Sequence, residues 1–426
     1  MALSLPPNPD LEHLRRVDRR LQKSVRIDDP HAVALVARHH PEGLPAGRET
    51  FALADAQLVV ARGHGFPSWP RMVGYLRAAR PLWRDPGAVE PVLPGRSGVD
   101  TESASAATAL ACLTYTDRDE PERWGRAAGL IAAHPELLER DVFAAAVAGD
   151  VEALRAHVAA DPGASTREGG PFRWAPLLYV VYSRVPQRDA VGSVRLLLDA
   201  GADPDSGYLW QGLPTPFTAL TGVFGEGEQG PGRQPRHPAW RELAQLLLAR
   251  GADPNDRQAL YNRMFNRDDG HLELLLAHGL GRPSSEVWAR RTGEAAETVE
   301  EMIDRQVGWA RDHGFVQRLE LLAAHGLHAG PPSPQDRLDI HHAATPEGVL
   351  AAVAAGAEVD ARREGRTALH QAAFLDDVAL VRALLRAGAD PEARDETHRT
   401  RPLEWARWAR ARGAEEVLAQ VTTKGG

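Results

Sequence analysis

Aromatic and arginine side chains gather between residues 172 and 265. They are Arg173, Trp174, Tyr179, Tyr182, Arg184, Tyr208, Trp210, Phe224, Tyr261 and Arg263, with Phe172, Phe217 and Phe265 among them. Tyr, Trp and Arg bury much area at modest entropic cost, so they most often anchor a bound partner. That predicts a ligand- or partner-binding surface. The alternative is that the rings fill irregular packing, and Phe217 and Phe265 read as core. The tyrosines, the arginines, Glu226 and His237 could also exchange protons if the chain closed a pocket over them.

Other motifs carry less chemistry. Gly225, Gly227 and Gly230 spell GxGxxG, but a helical pattern precedes them, two glutamates sit inside and Pro231 follows. A phosphate cradle needs a strand before it and a helix N-terminus after it, so this reads as a flexible loop. His341 and His342 are adjacent and would diverge by about 100° on a helix. Cys112 lies in the apolar run ATALACLTY and reads as a small buried hydrophobe. Asp117 and Asp119 are too close in sequence to share a helix face and read as a solvated loop before a helix starting at Pro121. No GxSxG, P-loop or zinc-finger spacing occurs, so no catalytic residue, metal site or cofactor is assigned.

Composition bounds the elements that must position these groups. The chain has 426 residues, 43% hydrophobic and only 6% aromatic, with Ala and Leu prominent. That balance favours packed helices over sheets, and the length favours more than one folded unit. Residues 1–84 carry 13 Lys/Arg against 8 Asp/Glu, leaving 37 against 50 for the remainder. An acidic array repels phosphates, so nucleic acid is disfavoured as a partner. The single cysteine forbids an internal disulfide. The opening MALSLPPNPD lacks a basic then apolar leader, and no apolar run approaches the ~20 residues of a membrane helix. A cytoplasmic location is the expectation.

Internal repetition decides the fold. In GRTALHQAAFLDDVALVRALLRAGADPEARD, residues 365–395, Thr367 precedes one helix, and Ala372 and Ala373 allow a second to approach. That second helix carries Val378, Leu380, Val381, Leu384 and Leu385 at helical spacing, and Gly388 ends it. The turn recurs as GADPD at 201–205, GADPN at 251–255 and GAEVD at 356–360. Second-helix copies occur at 149–162, 269–279 and 313–326, and a terminal copy at 399–421.

This pattern resembles the ankyrin repeat over about residues 105–424. The resemblance implies an all-α solenoid of stacked helical hairpins, with a repeat of about 33 residues. It also implies that His341 and His370 hydrogen-bond neighbouring backbone, and that first helices and loops face a groove. Uneven glycine spacing places insertions near 206–240 and 282–304, and predicts a truncated hairpin between Gly251 and Gly279. The stretch ALADAQLVVARGHGFPSWPRMVGYL resembles a module that opens bacterial ankyrin-repeat proteins, which implies a helical N-terminal cap over 1–80. Residues 81–104, rich in Pro and Gly, read as a linker to the array at 105–424. The function expected is a scaffold gripping a protein or peptide partner in its groove. The alternative is an inserted pocket that binds or converts a small molecule.

Overall fold

The computed structural model describes residues 3–44, 48–89, 101–284, 286–327 and 339–422. The chain divides into two compact units. The fold is the expected all-α solenoid of stacked helical hairpins, with few strands.

The smaller unit comprises residues 1–85, 207–217 and 283–302. Asp10 caps the helix Leu11–Arg26 by accepting from the backbone of Glu12 and His13, and Asp29 caps Pro30–His39. With Leu53–Gly63 and Trp69–Ala79, these helices bury Leu14, Val25, Val36, Phe51, Phe66 and Met72. Residues 207–217 and 283–302 contribute here, whereas 218–282 belong to the larger unit. Leu209 joins this core, and the strand Trp83–Arg84 pairs in parallel with Leu209 and Trp210 of the strand Gly207–Trp210. The helix Val287–Thr292 packs on Trp69–Ala79, and Leu3 N donates to Ala296 O at 2.7 Å. The expected linker is therefore partly structured: its first residues are strand and 3-10 helix, and a helix runs from Thr101 to Ala111. Positions 90–100 lie outside the described residues.

The larger unit is made of hairpins in file. First helices Val142–Ala148, Pro176–Tyr182, Ala219–Phe224 and Arg257–Arg263 pack successively. Their second helices Val151–Ala160, Ala190–Asp199, Trp240–Ala249 and Gly270–Ala277 do the same. Beyond them come the helix Val299–Asp312, which begins in the smaller unit, and Val316–Ala324, then Pro346–Ala354, Ala368–Phe374 with Val378–Arg386, and Pro402–Trp408 with Arg412–Val421. Five of these helices end alike. At Gly201, Gly251, Gly279, Gly356 and Gly388 φ lies between +91° and +98°, the left-handed position glycine fills without Cβ strain. The following N–H reaches back five residues each time, as from Ala389 to Leu384 O at 3.0 Å. The turns are joined in turn: Asp253 N donates to Asp205 at 2.8 Å and Asp390 N to Asp360 at 3.0 Å. The hairpin after Gly251 keeps two helices, Arg257–Arg263 and Gly270–Ala277, and its compression lies in the turn before them: Arg257 begins its helix soon after Gly251, whereas Ala368 follows Gly356 only after the Arg362–Thr367 strand pair.

Several local expectations resolve. His370 contacts the Thr367 hydroxyl at 2.8 Å and Thr400 O at 3.1 Å, and His341 reaches Ala361 O at 2.8 Å. Cys112 is buried, and burial pushes its thiol up to about 12. Asp119 is not a solvated carboxylate. It is fully buried and accepts from Thr114 N, the Thr114 hydroxyl and Tyr115 N at 2.7–2.9 Å, closing the turn before Pro121. Among the described residues no helix is long and apolar enough to cross a membrane, and no cluster of three metal-ligating side chains occurs.

Candidate binding cleft

Most of the aromatic and arginine residues singled out from sequence turn inward. Trp174, Tyr179 and Tyr182 are at most 1% exposed and form one cluster with Phe172, with Trp174 5.3 Å from Tyr179 and 5.0 Å from Tyr182 between ring centroids. The Tyr179 hydroxyl donates to Gly169 O at 2.8 Å and the Tyr182 hydroxyl to Thr218 O at 2.9 Å. Phe224 is fully buried against Trp240 and His271. In the smaller unit, Tyr208 is buried in stacked contact with Phe217, and Trp210 is half-buried beside the same ring. These residues are core, because irregular first helices and inserts leave volumes that only large rings fill.

The arginines follow the same logic. Arg184 donates to Pro235 O at 2.8 Å, Ser183 O at 2.8 Å, Val181 O at 3.1 Å and Gly222 O at 2.7 Å, and burial lowers its pKa to about 10. It pins the loop after Ala219–Phe224 and leaves no fork for a ligand. Arg263 is fully buried in an ion pair with Glu226, itself 3% exposed. The GxGxxG segment is thus a defined loop anchored by a buried carboxylate. His237 is buried, its Nε2 2.6 Å from Gln187 Oε1, and burial lowers its pKa to about 3. Glu226 and His237 are therefore committed to the fold. Arg173 is exposed on a turn with φ +55°. Phe265, expected as core, lines the cavity described next, and Tyr261 reaches its edge through the hydrogen bond it donates to Glu228.

That cavity lies within the larger unit, along the ends of its later first helices. It encloses ≈ 630 Å³, within the usual range for ligand sites. Its walls are Phe265, Trp309, Phe374, Trp405 and Trp408, with Glu228, Arg366, Gln371 and Glu404 among the polar lining. Phe265 and Trp309 meet edge-to-face at 5.0 Å. Phe374 meets Trp405 edge-on at 6.1 Å and stacks on Trp408 at 6.0 Å. The Trp405 indole donates to Asp395 at 3.2 Å and Thr400 at 3.1 Å. Burial alone would raise the Asp395 carboxyl, but hydrogen bonds from His398, Thr400 and Trp405 outweigh it and hold its pKa far below the usual range. Trp405 is fixed in orientation, whereas Trp408 is 52% exposed at the mouth.

The 225–237 loop reaches this cavity. Glu228 lines it and accepts from the Tyr261 hydroxyl, and Arg233 Nε donates to Trp408 O at 2.6 Å while its Nη1 donates to Asp117 O at 2.9 Å. Arg410 of the last hairpin meets Glu120, just before Pro121–Ala133, at 2.8 Å. Trp309, Phe374, Trp405, Trp408 and Glu228 were not singled out from sequence. A signal existed: Phe374 and Trp408 each stand seven residues after the N-cap of their helix, Thr367 and Arg401, so aligned copies place both rings at one end of successive first helices.

The family profile described as Ankyrin repeat matches residues 364–396. No curated protein matches the chain. Among solved structures, the chain is similar to the human ASB11 ankyrin repeat domain at 16% identity and a TM-score of 0.28, over 67% of this chain and 99% of that one. The class defined is an all-α repeat solenoid. An ankyrin repeat is present at 364–396, and ankyrin repeats generally serve protein–protein interaction.

Proposed function

We propose that this chain is a binding scaffold that holds a protein or peptide partner in the aromatic cleft, rather than at the cluster between 172 and 265. The observation that carries this reading is five aromatic walls around a partly open cavity, with Trp408 presented at its mouth. Aromatic anchors in a desolvated pocket are where binding energy concentrates. A second reading, a small-molecule ligand, is favoured by the ≈ 630 Å³ volume alone.

The test is selection of random peptides on the immobilised full chain, then titration of the selected peptides against wild type and Trp408→Ala. Trp408 is exposed, so its loss leaves the core intact. Enriched peptides should bind Trp408→Ala at least tenfold more weakly, the scale of one anchor residue. Equal affinity for both proteins would remove the cleft as the binding site.

A further inference from the structure

We propose that the cleft selects a cation, the guanidinium of an arginine in a basic peptide; this deepens the scaffold reading above and rests on it. Aromatic faces carry the negative part of the ring quadrupole and attract a desolvated cation. The chain already uses these rings so: Arg366 lies over Trp405 at 5.9 Å and Arg233 over Trp408 at 5.5 Å.

The charges lining the cavity then decide the sign of the guest. Arg366 is ion-paired with Glu364 at 2.6 Å, and Glu404 with Arg401 at 2.5 Å. Glu228 differs. It is exposed, and the partner it accepts from is the neutral phenol of Tyr261. Burial and the adjacent Glu228 carboxylate both raise the Tyr261 pKa, keeping that phenol protonated. Among the described residues, Glu228 is thus the lining carboxylate that no guanidinium pairs with, while Arg233, bonded to carbonyls, already lies over Trp408, on a chain whose residues 85–426 carry 37 basic against 50 acidic side chains. An anion would meet Glu228 and the long-range field together, whereas a basic peptide would be drawn in by both. Arginine fits better than lysine, because its planar group stacks on rings while bonding a carboxylate.

Calorimetry with the synthetic peptide (Gly-Arg)4 and its neutral isostere (Gly-citrulline)4, at physiological ionic strength, tests the sign. The citrulline peptide should bind at least tenfold more weakly. Glu228→Gln and Trp408→Ala should each weaken (Gly-Arg)4 by about tenfold, while Glu152→Gln, which removes one charge elsewhere on the same unit, should stay within twofold. Equal binding of both peptides, a loss in Glu152→Gln matching Glu228→Gln, or no binding of (Gly-Arg)4 overturns the proposal. If library-selected peptides still require Trp408, the scaffold reading survives that failure; if they do not, both readings fall.

Discussion

Arg184, Arg263 and Arg318 share one behaviour: a guanidinium taken out of water and repaid by fixed acceptors. Arg318 donates to Asp269 at 2.6 Å and Met264 O at 2.8 Å. From composition alone such a residue is indistinguishable from a ligand fork, because both need the same planar donors. The difference lies in which carbonyls the fold aims at them. Breaking one buried pair leaves a bare charge, so Arg263→Met should cost about 3–5 kcal/mol in denaturant unfolding. Arg263→Met/Glu226→Gln should recover at least half of that. Asp205 and Asp256 behave oppositely. Burial raises each to about 6, above the ordinary 3.8, despite hydrogen bonds from Asp253 N and Ala259 N respectively. Each binds its proton more tightly folded than unfolded, so stability falls as pH rises from about 4 to 6. Asp205→Asn keeps an acceptor for Asp253 N and removes the charge. Its Tm should exceed wild type at pH 7.5 and converge with it near pH 4; a parallel pair of curves would refute this.

At the scale of elements, the hairpins were legible because their signals are local. A left-handed glycine, a capping Asp or Thr, and apolar residues at helical spacing each act within one turn of chain. The cleft was not, since its walls come from Phe265, Trp309, Phe374 and Trp405 on four different hairpins, and only stacking brings them together. The GxGxxG segment at 225–230 reads as a flexible loop in sequence for the same reason: Glu226 is held by Arg263, a partner distant in sequence. Two glycine substitutions separate these cases. At Gly388 an added Cβ meets nothing, so Gly388→Ala should cost only the left-handed strain, about 1–2 kcal/mol. At Gly225, with φ +56°, the added carbon would collide with Pro235 O. Gly225→Ala should therefore be more destabilising and should weaken selected peptides, since this loop carries Glu228. Equal costs at the two positions, read by thermal unfolding, would contradict that distinction.

At the scale of the molecule, the chain is not two beads in sequence. Residues 207–217 and 283–302 leave the hairpin array and fold with the first 85, a long-range pairing that no local pattern announces. Within the larger unit the last hairpin also meets the start of the helix Pro121–Ala133, through Arg410 and Glu120. Both side chains are substantially solvated, so Arg410→Ala should shift stability by less than about 1 kcal/mol. The contact matters for another reason. Solenoids ordinarily gain or lose copies by duplication and deletion, since each copy needs only its neighbours. Here one more hairpin would carry Arg410 away from Glu120 and draw Gly232 off the Ala409–Arg410 backbone it touches. An added copy would therefore break contacts between the two ends of this unit, a cost that an open array does not carry.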